Sequence, residues 1–284
     1  MKYQKVIVTG GSGKAGLACL ERLSQAGYRV LSLDQKPLPG EIPGVESLVV
    51  DLADFGQTVD AMKGFEAVVH LAAFPHNGII TDERTFRINT ASTFNVFHAA
   101  RVLEFKRVVW ASSETVLGLP FDTIKPAEAP IDESHAPYPN STYSLSKSVG
   151  EEMARQFHRW TGIPYIGLRF SNIIRPWEYD MFEGFQEDAG KRQWNLWGYV
   201  DSRDAAQSCQ RALEADFDGV DNFIIAAADT VMRKENKDLL AGCFPDCALR
   251  PGTGPNETLL SIEKAHRVLG YEPEYSWREQ AAPS

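Results

Sequence analysis

The sequence predicts an α/β fold in which a doubly wound parallel sheet is joined to a small C-terminal lobe. Three observations favour this fold: short apolar strands alternate with helical segments over residues 5–168, a glycine-rich loop joins the first strand to the first helix, and an acidic residue closes the second strand. The alternation weakens past Arg169. We therefore expect one domain at residues 1–168 and mainly a smaller lobe at residues 169–284, parts of which return to the first domain.

The composition is that of an ordinary globular protein, with 43% hydrophobic and 24% charged residues. A net charge of -9 argues against a general nucleic-acid-binding surface, which needs clustered Lys and Arg. No apolar run approaches the roughly twenty residues that span a bilayer, and the N-terminus lacks a signal peptide. The four cysteines are scattered without the spacing of a metal or redox site. We expect a cytoplasmic protein with free thiols, no metal and no membrane partner.

The loop after the first strand carries the pattern of a dinucleotide site. The segment Gly10-Gly-Ser-Gly13-Lys-Ala-Gly16 can offer backbone N–H groups and a helix N-terminus to a pyrophosphate. The second strand ends at Asp34, an acid that suits the ribose hydroxyls of NAD and repels the 2′-phosphate of NADP. Lys14 and Lys36 leave NADP open, because either could bind that phosphate. Within the loop we predict cofactor contacts at Gly10, Gly13, Lys14, Ala15 and Gly16.

Apolar periodicity predicts the other elements of the first domain. Strands are expected at residues 5–9, 29–33, 47–50, 67–71, 107–110 and 164–168, and helices at 17–25, 55–63 and 86–103. Residues 75–84 are polar and irregular, so we expect a loop over the mouth of the site. In the C-terminal part, an aromatic-rich stretch at 177–197 precedes a helix to residue 215, a strand at 222–226 and a helix at 260–269.

Residues that follow the parallel strands are further candidates for cofactor contacts, because the carboxyl ends of such strands face one crevice. Asp51 and Leu52 follow the third strand, and Asp51 is expected to meet the adenine. The fourth strand ends in a segment with small side chains that suit the pyrophosphate and ribose, namely Leu71, Ala72 and Ala73. His70 closes that strand and is expected to be a core residue.

A Tyr and a Lys four residues apart on one predicted helix form the candidate catalytic pair. Tyr143 and Lys147 lie on the same helix face, so their polar ends can reach one ligand. A free phenol with a pKa near ~10 is a poor base at neutral pH, but a nearby ammonium stabilises the phenolate. Asn140 or Ser141 can cap this helix, and its apolar stripe, which ends at Trp160, is expected to pack in the core.

Two hydroxyls follow the fifth strand, where they can hydrogen-bond polar groups of a substrate. These are Ser112 and Ser113. They complete a set of motifs that occurs in the same order in one known family: Thr9–Gly16, Asp34, Asp51-Leu52, His70-Leu-Ala-Ala73, Asn89, Ser112-Ser113 with Gly118, Tyr143-x-x-x-Lys147 and Tyr199-Val-Asp-Ser-Arg-Asp204. Over essentially its whole length the chain resembles the extended short-chain dehydrogenase/reductase branch, also called the NAD-dependent epimerase/dehydratase family.

The resemblance implies a Rossmann-type domain with bound NAD, a small substrate-binding lobe, and often a homodimer formed through the Tyr-Lys helix. It implies that Tyr143 is the general base or acid at a substrate hydroxyl or carbonyl, and that Ser113 hydrogen-bonds the reacting oxygen. Lys147 would hold the nicotinamide ribose and lower the pKa of Tyr143. Asn89 would support the active-site helix or a proton-relay water.

Departures from the family pattern narrow the expected activity. Leu117 replaces the Tyr of the family's Ser-Ser-x-x-Val-Tyr-Gly segment, and only Glu114 is acidic where sugar-nucleotide dehydratases carry an acidic pair. The missing acid argues against elimination of water. The lobe is short, as in uronate dehydrogenases, and Arg175 could meet a carboxylate, with a plain surface role as an equal alternative. The predicted substrate contacts are Ser112, Ser113, Glu114, Asn172 and Arg175.

The sequence thus predicts an NAD-dependent oxidoreductase that oxidises a hydroxyl of a sugar or sugar acid, with Tyr143 as general base. The first alternative is a sugar or nucleotide-sugar epimerase that retains NAD and returns the hydride. The second is a dinucleotide-sensing regulator that has lost catalysis.

Overall fold

The computed structural model describes residues 3–280 and has the predicted α/β architecture. Seven parallel strands form the central sheet, and four shorter strands form two pairs in the smaller lobe. In chain order the strands are Lys5–Thr9 (β1), Arg29–Asp34 (β2), Val45–Val49 (β3), Ala67–His70 (β4), Arg107–Ser113 (β5), Glu128–Ala129 (β6), Tyr165–Phe170 (β7), Ile173–Ile174 (β8), Val200–Asp201 (β9), Val220–Ile225 (β10) and Ala248–Leu249 (β11).

Helices cover both faces of the central sheet. In chain order they are Lys14–Gln25 (α1), Phe55–Met62 (α2), Asp82–Val102 (α3), Thr142–Thr161 (α4), Ser202–Glu214 (α5), Asn236–Cys243 (α6), Glu263–Leu269 (α7) and Trp277–Gln280 (α8). Across residues 3–280, none of the helices combines the length and the apolar character needed to cross a membrane.

The order of the strands creates the crevice in which a ligand can bind. The sheet runs β10-β7-β5-β4-β1-β2-β3, with every neighbouring pair parallel. The direction of winding reverses between β1 and β4, so the connections that follow these two strands leave on opposite faces of the sheet. Such a reversal opens a crevice at the carboxyl ends of the strands.

The central strands are apolar on both faces because both faces are covered by helices. In β1, Val6 and Val8 pack in one core together with residues of α1 and α5. Ile7, between them, points to the opposite core, which contains residues of α2, α3 and α4. This alternation holds the glycine-rich loop after β1 between two packed layers.

The smaller lobe has a hydrophobic core of its own. Its aromatic members include Phe182, Trp197, Tyr199 and Trp277, and short strand pairs, β6 with β11 and β8 with β9, border it. The aromatic-rich stretch predicted from sequence forms 3-10 turns at Pro176–Phe185, Ala189–Lys191 and Gln193–Asn195. A domain boundary at residue 168 stays a proposal; β7 continues to Phe170, while α5 and β10 return to the central layers.

Several predicted boundaries were wrong in instructive ways. Helix α1 begins at Lys14 rather than at residue 17, directly after Gly13, so Gly16 belongs to its first turn. Helix α3 begins at Asp82, four residues before the predicted start, because two acids in its first turn favour a helix N-terminus there.

Two predictions about α4 had different outcomes. Trp160 was expected in the core but is 60% exposed. Ser141, one of the two predicted caps of α4, forms a capping box with Ser144.

The packing of α4 on β5 can be tested at a single glycine. A Cβ at Gly150 would lie 2.8 Å from the Trp110 ring, so Gly150→Ala should destabilise the protein by about 1 to 3 kcal/mol despite the better helix propensity of Ala. Gly242→Ala, where no atom lies within 4 Å of the new Cβ, should be neutral or stabilise by up to about 1 kcal/mol. Urea denaturation measures both, and equal effects would contradict this packing.

Candidate active site

A cavity of about 1050 Å³ lies at the carboxyl ends of the strands, between the central sheet and the smaller lobe. This volume is at the upper end of the range for small-molecule sites. Most residues predicted to contact cofactor or substrate line it, namely Gly10, Gly13, Lys14, Ala15, Gly16, Asp34, Leu52, Leu71, Ala72, Ala73, Asn89, Ser112, Ser113, Glu114, Tyr143, Lys147 and Asn172. Asp51 and Arg175 are not among the lining residues.

The glycine-rich loop leaves no space for side chains. A Cβ at Gly16 would lie 2.0 Å from the Gly10 carbonyl oxygen, and one at Gly10 would lie 2.7 Å from the backbone N of Ala72. Helix α1 begins in this loop without a side-chain cap and without an acid in its first turn. Its free N–H groups and dipole therefore favour an anion at the cavity wall, which fits the pyrophosphate of a dinucleotide.

Asp34 stands at the end of β2 and is held by backbone groups on both sides. Its Oδ2 accepts from the N–H of Ser12 at 3.0 Å, and its Oδ1 accepts from the N–H of Lys36 at 3.0 Å. Lys14, which the sequence left as a possible phosphate ligand, instead forms a 2.7 Å ion pair with Glu178 and donates to the Ile173 carbonyl at 3.1 Å. The carboxylate of Asp34 is thus placed to accept from ribose hydroxyls.

Asp51 is not among the cavity-lining residues, although its neighbours Leu52 and Ala53 are, and its predicted contact with the adenine stays a prediction. Its Oδ1 accepts from Gln35 Nε2 at 3.1 Å and from the N–H of Ala53 at 3.0 Å, so it organises the turn after β3.

His70 is a buried core residue, as predicted. Its ring nitrogens lie 2.7 Å from Thr9 Oγ1 and 3.3 Å from Thr93 Oγ1, and burial lowers its pKa to about 3, which keeps it neutral.

The predicted catalytic groups meet at the end of β5. Tyr143 lies close enough to Ser113 for this hydroxyl to lower the pKa of the phenol, and Ser113 Oγ accepts from the backbone N–H of Thr115 at 3.2 Å. Lys147 Nζ donates to the Ala111 carbonyl at 2.7 Å and lies 5.7 Å from the centre of the Tyr143 ring. A phenol, a hydroxyl and an ammonium therefore share one corner of the cavity, an arrangement suited to proton transfer at a bound oxygen.

The pKa values of the pair are governed by burial rather than by mutual attraction. Desolvation raises the pKa of Tyr143 to about 12, against the lowering effect of the Ser113 hydroxyl. Desolvation also lowers the pKa of Lys147 to about 8. The resemblance implied that Lys147 would lower the pKa of Tyr143. In the structure, Lys147 is not among the groups that shift the pKa of Tyr143, so that role stays a prediction. With a pKa of about 12, Tyr143 carries its proton at neutral pH.

Polar side chains behind the cavity hold the catalytic helix in place. Asn89 Oδ1 accepts from the N–H of Phe74 at 2.8 Å, while its Nδ2 donates to the Phe74 carbonyl at 3.1 Å and to Ser146 Oγ at 3.4 Å. Asn89 thereby ties α3 to α4 and to the loop after β4. The role predicted for Asn89, support of the active-site helix or of a proton-relay water, stays a prediction.

A buried ion pair that the sequence analysis missed anchors α4 to β5 and β7. Glu151 and Arg169 form a forked pair with two N–O distances of 2.9 Å, and Ser112 Oγ donates to Glu151 Oε1 at 2.7 Å. All three residues are less than 5% exposed. Ser112, which was predicted to contact substrate, therefore donates its hydroxyl hydrogen to the ion pair. The sequence feature that could have indicated this ion pair is the position of Glu151, four residues after Lys147 on the same helix. Its partner Arg169 is brought to it only by the fold.

Glu114 is a buried acid in the cavity wall and joins the sheet to the smaller lobe. It is 3% exposed, and its carboxylate accepts from Ser171 Oγ at 2.6 Å and from Asn195 Nδ2 at 3.2 Å. Burial raises its pKa to about 7, although both hydrogen bonds and the charge of Arg192 act in the opposite direction.

The two arginines near the lobe have different surroundings. Arg175 stacks over Trp177, with its guanidinium carbon 5.4 Å from the ring centre, and does not line the cavity. Arg192 is buried and donates to Asn172 Oδ1 at 2.9 Å. Neither Arg192 nor the cavity-lining Trp194 was predicted, because Trp194 lies in a 3-10 turn and Arg192 lies between two such turns, and these short turns have no sequence periodicity.

Comparison with known proteins agrees with this geometry. Residues 6–226 match the model of the NAD dependent epimerase/dehydratase family. The NAD-dependent glucose-6-phosphate dehydrogenase of Haloferax volcanii is 27% identical, over 95% of this chain and 93% of its own. The L-arabinose 1-dehydrogenase (NAD(P)(+)) of the same organism is also 27% identical, over 74% of this chain and 83% of its own.

The fold has close structural counterparts as well. A short-chain dehydrogenase/reductase superfamily protein from Agrobacterium tumefaciens, crystallised with NAD, superposes with a TM-score of 0.75 at 23% identity, covering 98% of this chain and 95% of its own. The family match extends over most of the chain and includes the glycine-rich loop, Ser113, Tyr143 and Lys147. The protein is therefore a member of the NAD-dependent epimerase/dehydratase family.

Proposed function

We propose that the protein is an NAD-dependent dehydrogenase that oxidises a hydroxyl of a sugar or sugar acid. The observation that carries the proposal is the convergence of Tyr143, Ser113 and Lys147 in the same cavity as the glycine-rich loop and Asp34. Two relatives that share most of their length with this chain are named as sugar dehydrogenases, which supports a net oxidation.

The residues around the cavity divide into a cofactor end and a reaction end. The glycine-rich loop, the N-terminus of α1 and Asp34 would hold NAD, with Leu52, Leu71, Ala72 and Ala73 along its path. When bound, NAD supplies the acceptor for a hydride. Lys147 would hold the nicotinamide ribose. Ser113 would hydrogen-bond the reacting oxygen, while its neighbour Thr115 keeps the Ser113 hydroxyl oriented.

Tyr143 would manage the proton of the reacting hydroxyl. In the oxidation, the substrate carbon gives up its hydrogen as hydride, its hydroxyl gives up a proton to Tyr143, and a C=O bond forms. Because burial raises the pKa of Tyr143 to about 12, the phenol must lose its own proton first. Higher pH favours that loss, so the oxidation should accelerate as the pH rises above neutrality.

Two other functions use the same residues or part of them. An epimerase would retain NAD and return the hydride, and a regulator would bind the dinucleotide without turnover. The intact arrangement of Ser113, Tyr143 and Lys147 speaks against a regulator. Accumulation of NADH in step with the oxidised product indicates a dehydrogenase, whereas product without free NADH indicates an epimerase.

The catalytic role of Tyr143 can be tested with a matched pair of variants. Tyr143→Phe should lower kcat/KM for sugar oxidation by about 100-fold or more while NADH still binds, because only the proton-transferring hydroxyl is lost. Tyr165→Phe also removes one buried hydroxyl, but that oxygen has no hydrogen-bond partner and lies away from the cavity, so activity should persist. NADH absorbance reports turnover, and full activity of Tyr143→Phe would refute the mechanism.

The role of Asp34 in cofactor choice calls for a separate experiment. Asp34→Asn removes the charge that would repel a 2′-phosphate, so the preference for NAD over NADP in kcat/KM should fall by about tenfold or more. Asp60→Asn serves as the comparison because Asp60 is an exposed acid paired with Lys63 and does not line the cavity. Wild-type protein that uses both cofactors equally would show that the assignment of Asp34 is mistaken.

We extend the proposal to a homodimer formed through α3 and α4. Apolar side chains on these helices are exposed, with Phe94 at 44%, Leu145 at 43% and Trp160 at 60%. Such a patch is typical of an interface. Trp160→Glu should convert the dimer to a monomer in sedimentation velocity, whereas Trp177→Glu, at an exposed Trp outside these helices, should not. A monomeric wild-type protein would contradict this part of the proposal.

The location belongs to the proposal as well. A reducing compartment such as the cytoplasm is supported by free thiols, three of them buried, at Cys19, Cys209, Cys243 and Cys247. Fractionation of the source cells tests this, and a secreted, oxidised form would contradict it.

A further inference from the structure

Resting on the proposed dehydrogenase function, we infer that the substrate is a neutral, unphosphorylated sugar and that Glu114 is the residue that selects it. The proposed function leaves sugars and sugar acids equally open. The charges around the reaction end of the cavity distinguish neutral sugars from anionic ones. A uronate, a sugar phosphate and a nucleotide sugar each carry an anionic group that needs a cation in the cavity wall.

The cations of the cavity wall are already engaged or lie elsewhere. Among residues 3–280 the lining includes three lysines and no arginine. Lys14 is paired with Glu178, Lys36 lies beside Asp34 at the cofactor end, and Lys147 donates to the Ala111 carbonyl next to Tyr143. His76 also lines the cavity, on an exposed loop, with its Nδ1 2.7 Å from the Asn77 carbonyl oxygen.

Both arginines nearest to the lobe are unsuitable as carboxylate receptors. Arg175 stacks on Trp177 outside the cavity wall. Arg192 is 6% exposed, lies 5.0 Å from the centre of the Trp194 ring, and uses its two terminal nitrogens on Asn172 and on the Gly198 carbonyl. The Nε of Arg192 has no hydrogen-bond partner among residues 3–280, but it is buried and Arg192 does not line the cavity, so a substrate anion at this end of the cavity would not contact that guanidinium directly.

The wall contributes an acid instead, and because burial raises the pKa of Glu114 to about 7, its negative charge is fully present only above neutral pH. Glu114 follows Ser113 in the chain, and both residues line the cavity. Ser171 donates to one carboxylate oxygen and Asn195 to the other, the backbone N–H of Asn172 also donates to the carboxylate, and capacity for one further donor remains. A sugar hydroxyl can supply that donor, whereas a substrate carboxylate or phosphate would be repelled.

Asn172 completes a pair of groups that matches hydroxyls. Because Arg192 occupies its Oδ1, the side-chain NH₂ of Asn172 is left as a donor, and no partner for it occurs in the described part of the chain. Glu114 as acceptor and Asn172 as donor can bind neighbouring sugar hydroxyls, each of which both donates and accepts. The ring of Trp194, also in the wall, offers an apolar surface for the sugar's C–H groups.

The experiment compares sugars that differ only in the charged group. Wild-type protein with NAD is assayed for NADH formation on galactose against galacturonate and on glucose against glucuronate, with arabinose, glucose 6-phosphate and UDP-glucose as further substrates. In assays above neutral pH, where Glu114 is charged, we expect kcat/KM for a neutral sugar to exceed that for its uronate by about tenfold or more, because like charges in one site are strongly disfavoured.

Glu114→Gln then tests the selecting residue. The amide keeps the size of the side chain and can still pair with Ser171 and Asn195, so the variant should fold. The ratio of kcat/KM for the neutral sugar to that for the uronate should fall by about fivefold or more. Glu183→Gln is the matched control, because Glu183 is an exposed acid paired with Arg233 outside the cavity, and it should leave the ratio unchanged.

The outcomes distinguish this inference from the function on which it rests. Preferred oxidation of a uronate, a sugar phosphate or UDP-glucose would overturn the inference and leave the dehydrogenase proposal standing. A loss of activity in Glu114→Gln that is equal for both sugars would remove Glu114 as the selecting residue. If no sugar of the panel reduces NAD although NADH binds, the proposed function fails and the inference fails with it.

Discussion

The site depends on the buried ion pair between Glu151 and Arg169, which fixes α4 against β5 and β7. Two charges inside a protein are costly unless hydrogen bonds saturate them, and here Ser112 adds a third bond to Glu151. The ion pair thereby fixes both the rotation of α4 about its axis and its position along that axis relative to the end of β5. Tyr143 and Lys147 are held in place with the helix. Gly150, pressed against Trp110, lets α4 and β5 approach closely enough.

Burial, more than attraction between charges, sets the chemistry in this corner of the cavity. It raises the pKa of Tyr143, lowers that of Lys147 and raises that of Glu114, in each case favouring the neutral form. Groups that titrate away from their usual range in a cleft are typical of functional sites. The same desolvation makes an unpaired anion costly, which links proton transfer to the choice of a neutral substrate.

Much of the fold and of the cofactor end could be predicted, because the signals are local. The glycine-rich loop, Asp34 and the Tyr143–Lys147 spacing each lie within one or two neighbouring elements, and all three occupy the cavity as expected. Asp51 follows a strand just as Asp34 does, yet its carboxylate turns to Gln35 and Ala53. The direction of a side chain after a strand depends on the turn that follows, which strand position alone does not specify.

The sequence by itself determined the order of strands and helices, the glycine-rich loop and the candidate catalytic pair, because these follow from periodicity and short-range spacing. Only the tertiary structure decided which charges are free to meet a ligand. Lys14 is neutralised by Glu178, 164 residues later, and Glu114 is held by Asn195, 81 residues later. Such pairings form only when the lobe packs on the sheet, because residues this far apart in the chain meet only through tertiary contacts.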